Sequence, residues 1–282
     1  MKIKIDHVTV CGSALDGMRK AFVDAGLTTE YGGPHANGVT HMALIGFDDG
    51  SYLELIAPMK SVEGASANLA GWIKLMQGEA GACAWAVHTL NIQEEVERLK
   101  AAGIAATAPE SGGRKKIDGT ALRWQTATAG PGAAGAQLPF MIQDETPREL
   151  RVQPSATIRD TGLTGIAMVV LGVKDLNGAV AAFQKAYGWG APTIEEHREF
   201  GATLAQFPGT PVILAAPADE NSWLATRIHH FGDCPLAFLL HAPDLRRISK
   251  RLGLARENTW FGRKLLWFDE TQLQGLRLGV VE

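Results

Sequence analysis

A strand, a glycine-terminated helix and three further strands recur four times along this chain, and that repetition limits its possible architectures more than any other feature. In the first unit residues 3 to 10 read as a strand. Ala14 to Ala25 then sets Leu15, Met18, Phe22 and Val23 on one helical face, with Ser13 as N-cap and Gly26 as stop. A short strand near Leu27 to Glu30 and the loop Tyr31 to Asn37 lead to Gly38 to Pro58, GVTHMALIGFDDGSYLELIAP. There two apolar runs flank Asp48-Asp49-Gly50, the pattern of a β-hairpin. A helix over Leu69 to Met76 bridges to the second unit.

The second unit takes Cys83 to Thr89 as strand, Ile92 to Ala102 as helix and Ile104 to Thr107 as strand. A Gly-rich basic loop, Ser111 to Asp118, precedes strands at Thr120 to Thr126 and Gln137 to Ile142. Asp144 to Arg159 is charged, contains Pro147 and Pro154, lacks periodicity and reads as a linker. Two more units follow, opening at Gly165 to Gly172 and at Leu236 to His241. The expectation is an α+β protein of four β-α-β-β-β modules in two paired-module halves, residues 1–145 and 160–282.

The balance of 27 basic and 30 acidic side chains, a formal charge of −3, leaves no electrostatic footprint for nucleic acid or a membrane surface. The expected partner is therefore a small molecule. Cys11, Cys83 and Cys234 are far apart and without CxxC spacing, as in reduced thiols of a cytoplasmic protein. No signal peptide or membrane-spanning run is indicated in the sequence. A GxSxG nucleophile motif is absent, which disfavours that type of hydrolase.

Two polar side chains stand out because they interrupt apolar strands. Glu54 lies between Leu53 and Leu55-Ile56, and His7 breaks Ile5 to Val10; burying either needs a cation or hydrogen bonds in return. With His41 they form a candidate set of two imidazoles and one carboxylate for a divalent ion, leaving open positions for substrate oxygens. Hairpin register decides His41. A two-residue turn puts it on the face of Glu54, and a three-residue turn puts it on the other. Without a metal, His7 is a hydrogen-bonded core histidine and Glu54 pairs with a basic side chain. Arg114, beside Lys115 and Lys116, can hold a carboxylate or phosphate, although such runs are more often solvated. Trp85, Trp124 and Phe140 sit on strands and can line an apolar pocket, with core packing the alternative. The loop Gly32-Gly33-Pro34-His35 can flex over a cleft mouth, and His229-His230 reads as a loop between modules.

The segments IDHVTV, GGPHANGVTHMALIGFDDGSYLELIAP, AWAVHT, RKKIDGTALRW and LPFMIQD resemble the glyoxalase-like branch of the vicinal oxygen chelate superfamily. The match is specific over residues 5 to 143, and LGVKDLNGAVAAFQKAYGWG extends it more loosely. The resemblance implies modules paired into half-open barrels around a cleft, with metal ligands on first and last strands, where His7 and Glu54 fall. It implies a divalent metal (Zn, Ni, Mn or Fe), with Glu54 as ligand or proton shuttle in lyase- or isomerase-type chemistry. The second module departs from the pattern: CAWAVH has no mid-strand histidine, and LPFMIQD has Met141 and Gln143 near the glutamate position. Met168 replaces His7 in the third, which weakens a ring-cleaving dioxygenase reading, and the fourth offers only His241 and Glu282 at strand edges. A metal-free binding or sequestration protein of the same superfamily is the competing reading, and a third is that the C-terminal half is purely structural or a homodimer surface.

Overall fold

The computed structural model describes residues 2–35, 38–59, 70–78, 80–116, 118–254 and 256–282. The first unit comprises β1 (Ile5–Cys11), α1 (Leu15–Asp24), β2 (Glu30–Pro34), β3 (Thr40–Gly46) and β4 (Tyr52–Pro58). After α2 (Ala70–Met76), the second comprises β5 (Gly81–His88), α3 (Ile92–Ala101), β6 (Glu110–Lys115), β7 (Ala121–Ala127) and β8 (Phe140–Asp144). A short helix, α4 (Ala156–Thr161), leads to β9 (Gly165–Gly172), α5 (Leu176–Tyr187), β10 (Thr193–His197), β11 (Ala202–Gln206) and β12 (Val212–Pro217). The last unit follows α6 (Trp223–Phe231) and contains β13 (Cys234–His241), α7 (Leu245–Leu252), β14 (Arg256–Trp260), β15 (Arg263–Trp267) and β16 (Arg277–Val281). Asn91, Asp175 and Asp244 cap α3, α5 and α7 through their side chains, whereas α1 starts at Ala14 without a side-chain cap, so Ser13 does not serve there.

Two mixed eight-stranded sheets result, ordered β2-β3-β4-β1-β5-β8-β7-β6 and β10-β11-β12-β9-β13-β16-β15-β14. In each, the first strand of a unit runs parallel to the last strand of that unit and antiparallel to the first strand of the next. Each sheet curls toward a barrel, and its strands divide by alternation into a helix-covered face and an inner face. On the helix-covered side, Val8, Val10, Leu53, Leu55 and Trp85 join one core that extends into the other sheet. Trp85 is fully buried there, stacked 6.5 Å from Phe183 of α5, with its indole N–H donating to the Gln137 carbonyl. Its expected place in a ligand pocket is therefore corrected: on β5 it points away from the inner face.

The inner faces of the two sheets differ. That of the second is filled by Met168, Val170, Ile213, Phe200, Trp260 and Trp267, with ring centroids of Phe200 and Trp260 4.8 Å apart. The first keeps a cleft.

Local departures from expectation shape that cleft. The expected strand at 104–107 is only an isolated bridge, Ala106 to Ala129, and the expected loop from Ser111 becomes the edge strand β6. The glycines make this possible, because a Cβ at Gly113 would lie 2.5 Å from the Leu122 carbonyl oxygen across the ladder. The linker contains a 3₁₀ turn, Arg148–Leu150, before α4. His229 and His230 lie in the last turn of α6 rather than in a loop. Among the described residues no helix is long and apolar enough to cross a membrane.

Truncating Trp85 to Ala should cost about 3–5 kcal/mol in denaturant unfolding, the usual range for emptying an aromatic core position. The same change at half-buried Trp124 should cost clearly less.

Candidate functional site

The parallel register of β1 and β4 sets Thr9 beside Glu54 and His7 beside Tyr52, all on the inner face. His7 Nε2 stands 3.8 Å from Glu54 Oε2, and the Thr9 hydroxyl donates to the same oxygen at 3.5 Å. From the loop after β2, His35 brings Nε2 to 3.5 Å from the other oxygen, Oε1, while its Nδ1 meets the Thr40 hydroxyl at 2.7 Å. His7 is held between two rings, stacked on Tyr52 at 4.7 Å and edge-on to Phe140 at 5.3 Å.

Beneath His7 lies a second charged cluster. Asp6 is fully buried; its carboxylate accepts from His7 Nδ1 at 2.6 Å, from both terminal nitrogens of Arg151 at 2.9 Å, and from Arg148. Arg151 also donates to the Tyr52 hydroxyl at 2.7 Å and to Asp144 at 2.9 Å. Because an ionised carboxylate only accepts, Asp6 fixes the His7 proton on Nδ1 and leaves Nε2 facing the cleft. Burial alone would raise the Asp6 pKa, but the bonds from His7 and Arg151 outweigh it and hold the carboxyl far below its ordinary range. Glu54 behaves alike: burial pushes it up, while His35, His7 and Arg114 together keep it below the usual value. Burial drives the Tyr52 hydroxyl in the opposite direction, far above the usual tyrosine range, and Arg151 offsets only part of this.

Arg114 closes the mouth. On edge strand β6 it donates to the Gly32 carbonyl on β2 and, at 3.0 Å, to the Arg151 carbonyl, so the two sheet edges approach across the cleft. The cavity measures about 290 Å³. Met42, Leu44, Ile56, Trp72, Trp124 and Phe140 form its apolar wall, against which His7, His35, Glu54 and Arg114 present polar atoms. Trp72 Nε1 is buried with no hydrogen-bond partner among the described residues.

His7, Glu54, Arg114, Trp124 and Phe140 thus meet in one cleft. His41 does not join them. Phe47 N–H donates to the Ser51 carbonyl and Gly46 pairs with Tyr52, so the turn has three residues, and His41 pairs with Ala57 on the opposite face. There it packs edge-on to Tyr31 at 5.9 Å, and burial lowers its pKa. Sequence reasoning missed His35, Asp6, Tyr52, Trp72 and Arg151. The loop Gly32 to His35 was the one signal for His35. Asp6 escaped notice because alternation assigns it to the helix side, whereas a register shift between Ile5 and His7 turns it toward the arginines.

The donor set does not fit the expected divalent centre. Of the expected set only His7 and Glu54 face the cleft, and His41 lies on the opposite face. Strand register makes Ala84 and Phe140 the second-module counterparts of His7 and Glu54, and neither carries a donor. Among the described residues no three His, Cys, Asp or Glu side chains form a group able to hold a metal ion.

A family model described as a glyoxalase-like domain matches residues 5–187. No curated protein matches the sequence. Among solved structures, a hypothetical protein from Staphylococcus aureus is similar over 99% of this chain and 98% of its own, with 15% identity and a TM-score of 0.61. A triple mutant of 4-hydroxymandelate synthase from Streptomyces coelicolor is similar over 99% and 92%, with 13% identity and a TM-score of 0.62. These two show the shared fold. A methylmalonyl-CoA epimerase from Mycobacterium tuberculosis matches 43% of this chain and 89% of its own, with 22% identity and a TM-score of 0.37.

Replacing Asp6 by Asn should cost about 3–5 kcal/mol, because it removes the fully buried carboxylate that faces His7, Arg148 and Arg151 and leaves Arg151 with Asp144 alone. Asp6 has a lower pKa folded than unfolded, so its stabilisation is complete above the ordinary carboxylate range and fades as pH falls toward the folded value. Urea unfolding followed from neutral pH to about pH 3 should therefore show a steep acid loss in the native chain and a shallower one in Asp6→Asn.

Proposed function

The chain belongs to the glyoxalase-like domain family, and on that footing we propose that it is an enzyme moving a proton beside the carbonyl of a small oxygenated organic molecule. The observation that carries this reading is the Glu54 carboxylate, only 8% exposed, set between two histidines and an arginine in an aromatic-walled cleft. A ligand carbonyl directed at Arg114 has its oxygen polarised by guanidinium N–H groups. Glu54 then takes the proton from the adjacent carbon, and the electron pair of that C–H bond moves into the enolate whose oxygen Arg114 faces. Returning the proton to the opposite face of the same carbon re-forms the carbonyl with inverted configuration, an isomerase outcome; collapse of the enolate with loss of a neighbouring group, which leaves with its bonding electron pair, gives a lyase.

Glu54 is a weak base while His35 and His7 face it. A ligand that excludes water and draws His35 off the carboxylate raises its proton affinity at the moment it is needed. His7, held in one tautomer by Asp6, offers Nε2 as the partner that accepts or relays the proton. No step here is routed through a metal, because among the described residues no three His, Cys, Asp or Glu side chains form a group able to hold one. A ring-cleaving oxygenase reading gains no support from the C-terminal half, whose inner face is packed with aromatic side chains.

The apolar wall of Trp72, Trp124 and Phe140 favours a second reading, a sequestration protein that binds the same class of ligand without turning it over.

Proton exchange separates the two. Incubated in heavy water with a panel of small 2-oxo and 2-hydroxy carbonyl compounds, the native chain should exchange one ligand C–H, seen by NMR, and Glu54→Gln should slow this by roughly 10²–10⁴-fold with ligand affinity retained. Binding without exchange across the panel favours sequestration. Elemental analysis belongs beside it: a near-stoichiometric divalent ion lost in both His7→Ala and Glu54→Ala would overturn the metal-free form of the mechanism.

A further inference from the structure

A larger cavity, about 620 Å³, lies outside the Glu54 cleft where the two sheets meet. Its walls are the start of β5 at Gly81 and Ala82, the α6 face bearing Trp223, Arg227 and His230, the turn from Glu270 to Gly275, and Arg277 on β16. Two arginines are built into it. Arg277 lies flat on Trp223, its guanidinium carbon 3.9 Å from the ring centroid, and pairs with Glu270 at 2.9 Å. Arg227 donates through Nη2 to the Ala82 carbonyl at 2.7 Å and the Pro235 carbonyl at 3.3 Å, which fixes its fork across the junction of the halves. A Cβ at Gly81 would sit 3.3–3.4 Å from both terminal nitrogens, so the glycine leaves that fork approachable.

The charge balance defines the ligand. His230 lines the same wall, Lys74 reaches its backbone at 3.2 Å, and Glu270 is the one carboxylate among the described lining residues. Asp233, near Arg227 in the chain, is taken up by the Gln137 amide and the Lys174 N–H. Burial lowers the pKa of Arg277, only partly offset by Glu270, as for a cation short of counter-charge. We propose that this inter-sheet cavity is a second binding site, for a small organic anion whose phosphate or carboxylate group is held between Arg227 and Arg277. Guanidinium forks match the oxygen spacing of either group, and the exposed edge of Trp223 offers an apolar surface for the remainder.

The test is isothermal titration calorimetry of the full chain with inorganic phosphate and, separately, malonate, at low ionic strength. Binding of either anion that weakens about tenfold or more in Arg277→Gln supports the site, and the preferred anion identifies the group it takes. Because Arg277→Gln removes a stacked side chain, Gln274→Glu provides the control: it keeps size, adds negative charge at the cavity wall, and should weaken binding several-fold with an unchanged melting temperature. No heat with either anion at millimolar concentration, an affinity in both variants equal to that of the native chain, or a loss seen in Arg114→Gln instead would overturn the proposal.

Discussion

The buried Asp6–Arg151 ion pair is the interaction on which the cleft depends. Asp6 comes from the first strand and Arg151 from the segment after the last strand of the second unit, so the pair ties the start of the first half's chain to the segment that leaves it, beside the central strands of the sheet. Such a pair is costly to desolvate and persists only when further bonds saturate it. Here they do: His7, Arg148, Tyr52 and Asp144 occupy the remaining positions. One consequence is chemical, since the same carboxylate that anchors Arg151 orients His7. Another is architectural, since the Arg151 backbone carbonyl receives Arg114 and so draws β6 over the cleft.

The two halves use one topology for different ends. In the first sheet the inner positions of β1 and β4 are His7, Thr9 and Glu54; the equivalent register in β9 and β12 gives Met168, Val170 and Ile213. Polar groups facing inward need partners and space for a ligand, whereas Met, Val and Ile invite filling by Phe200, Trp260 and Trp267. Strand order is the same in both, so the open cleft of the first half follows from side chains rather than from topology.

Much of the fold was legible because its signals are local. Alternation, glycine stops and helix caps act over a few residues, and the fourfold recurrence of one order left few ways to pair the strands. Of the site, His7 and Glu54 were visible as polar interruptions of apolar runs, and Arg114, Trp124 and Phe140 as chemistry-bearing side chains on the second unit. His41 and Trp85 drew equal notice in the sequence and lie elsewhere, because residue type does not reveal which face a strand position takes once turn length is open.

The sequence by itself determined the four-unit order, the polar interruption at Glu54 and the absence of a mid-strand histidine from the second unit's first strand, since periodicity and burial cost are properties of neighbouring residues. Tertiary structure alone decided that His35 faces Glu54, that Arg151 reaches Asp6 across 145 positions of chain, and that Arg227 and Arg277 meet at the junction of the sheets. Those contacts depend on the curl of each sheet and the register of its strands, which no local pattern encodes.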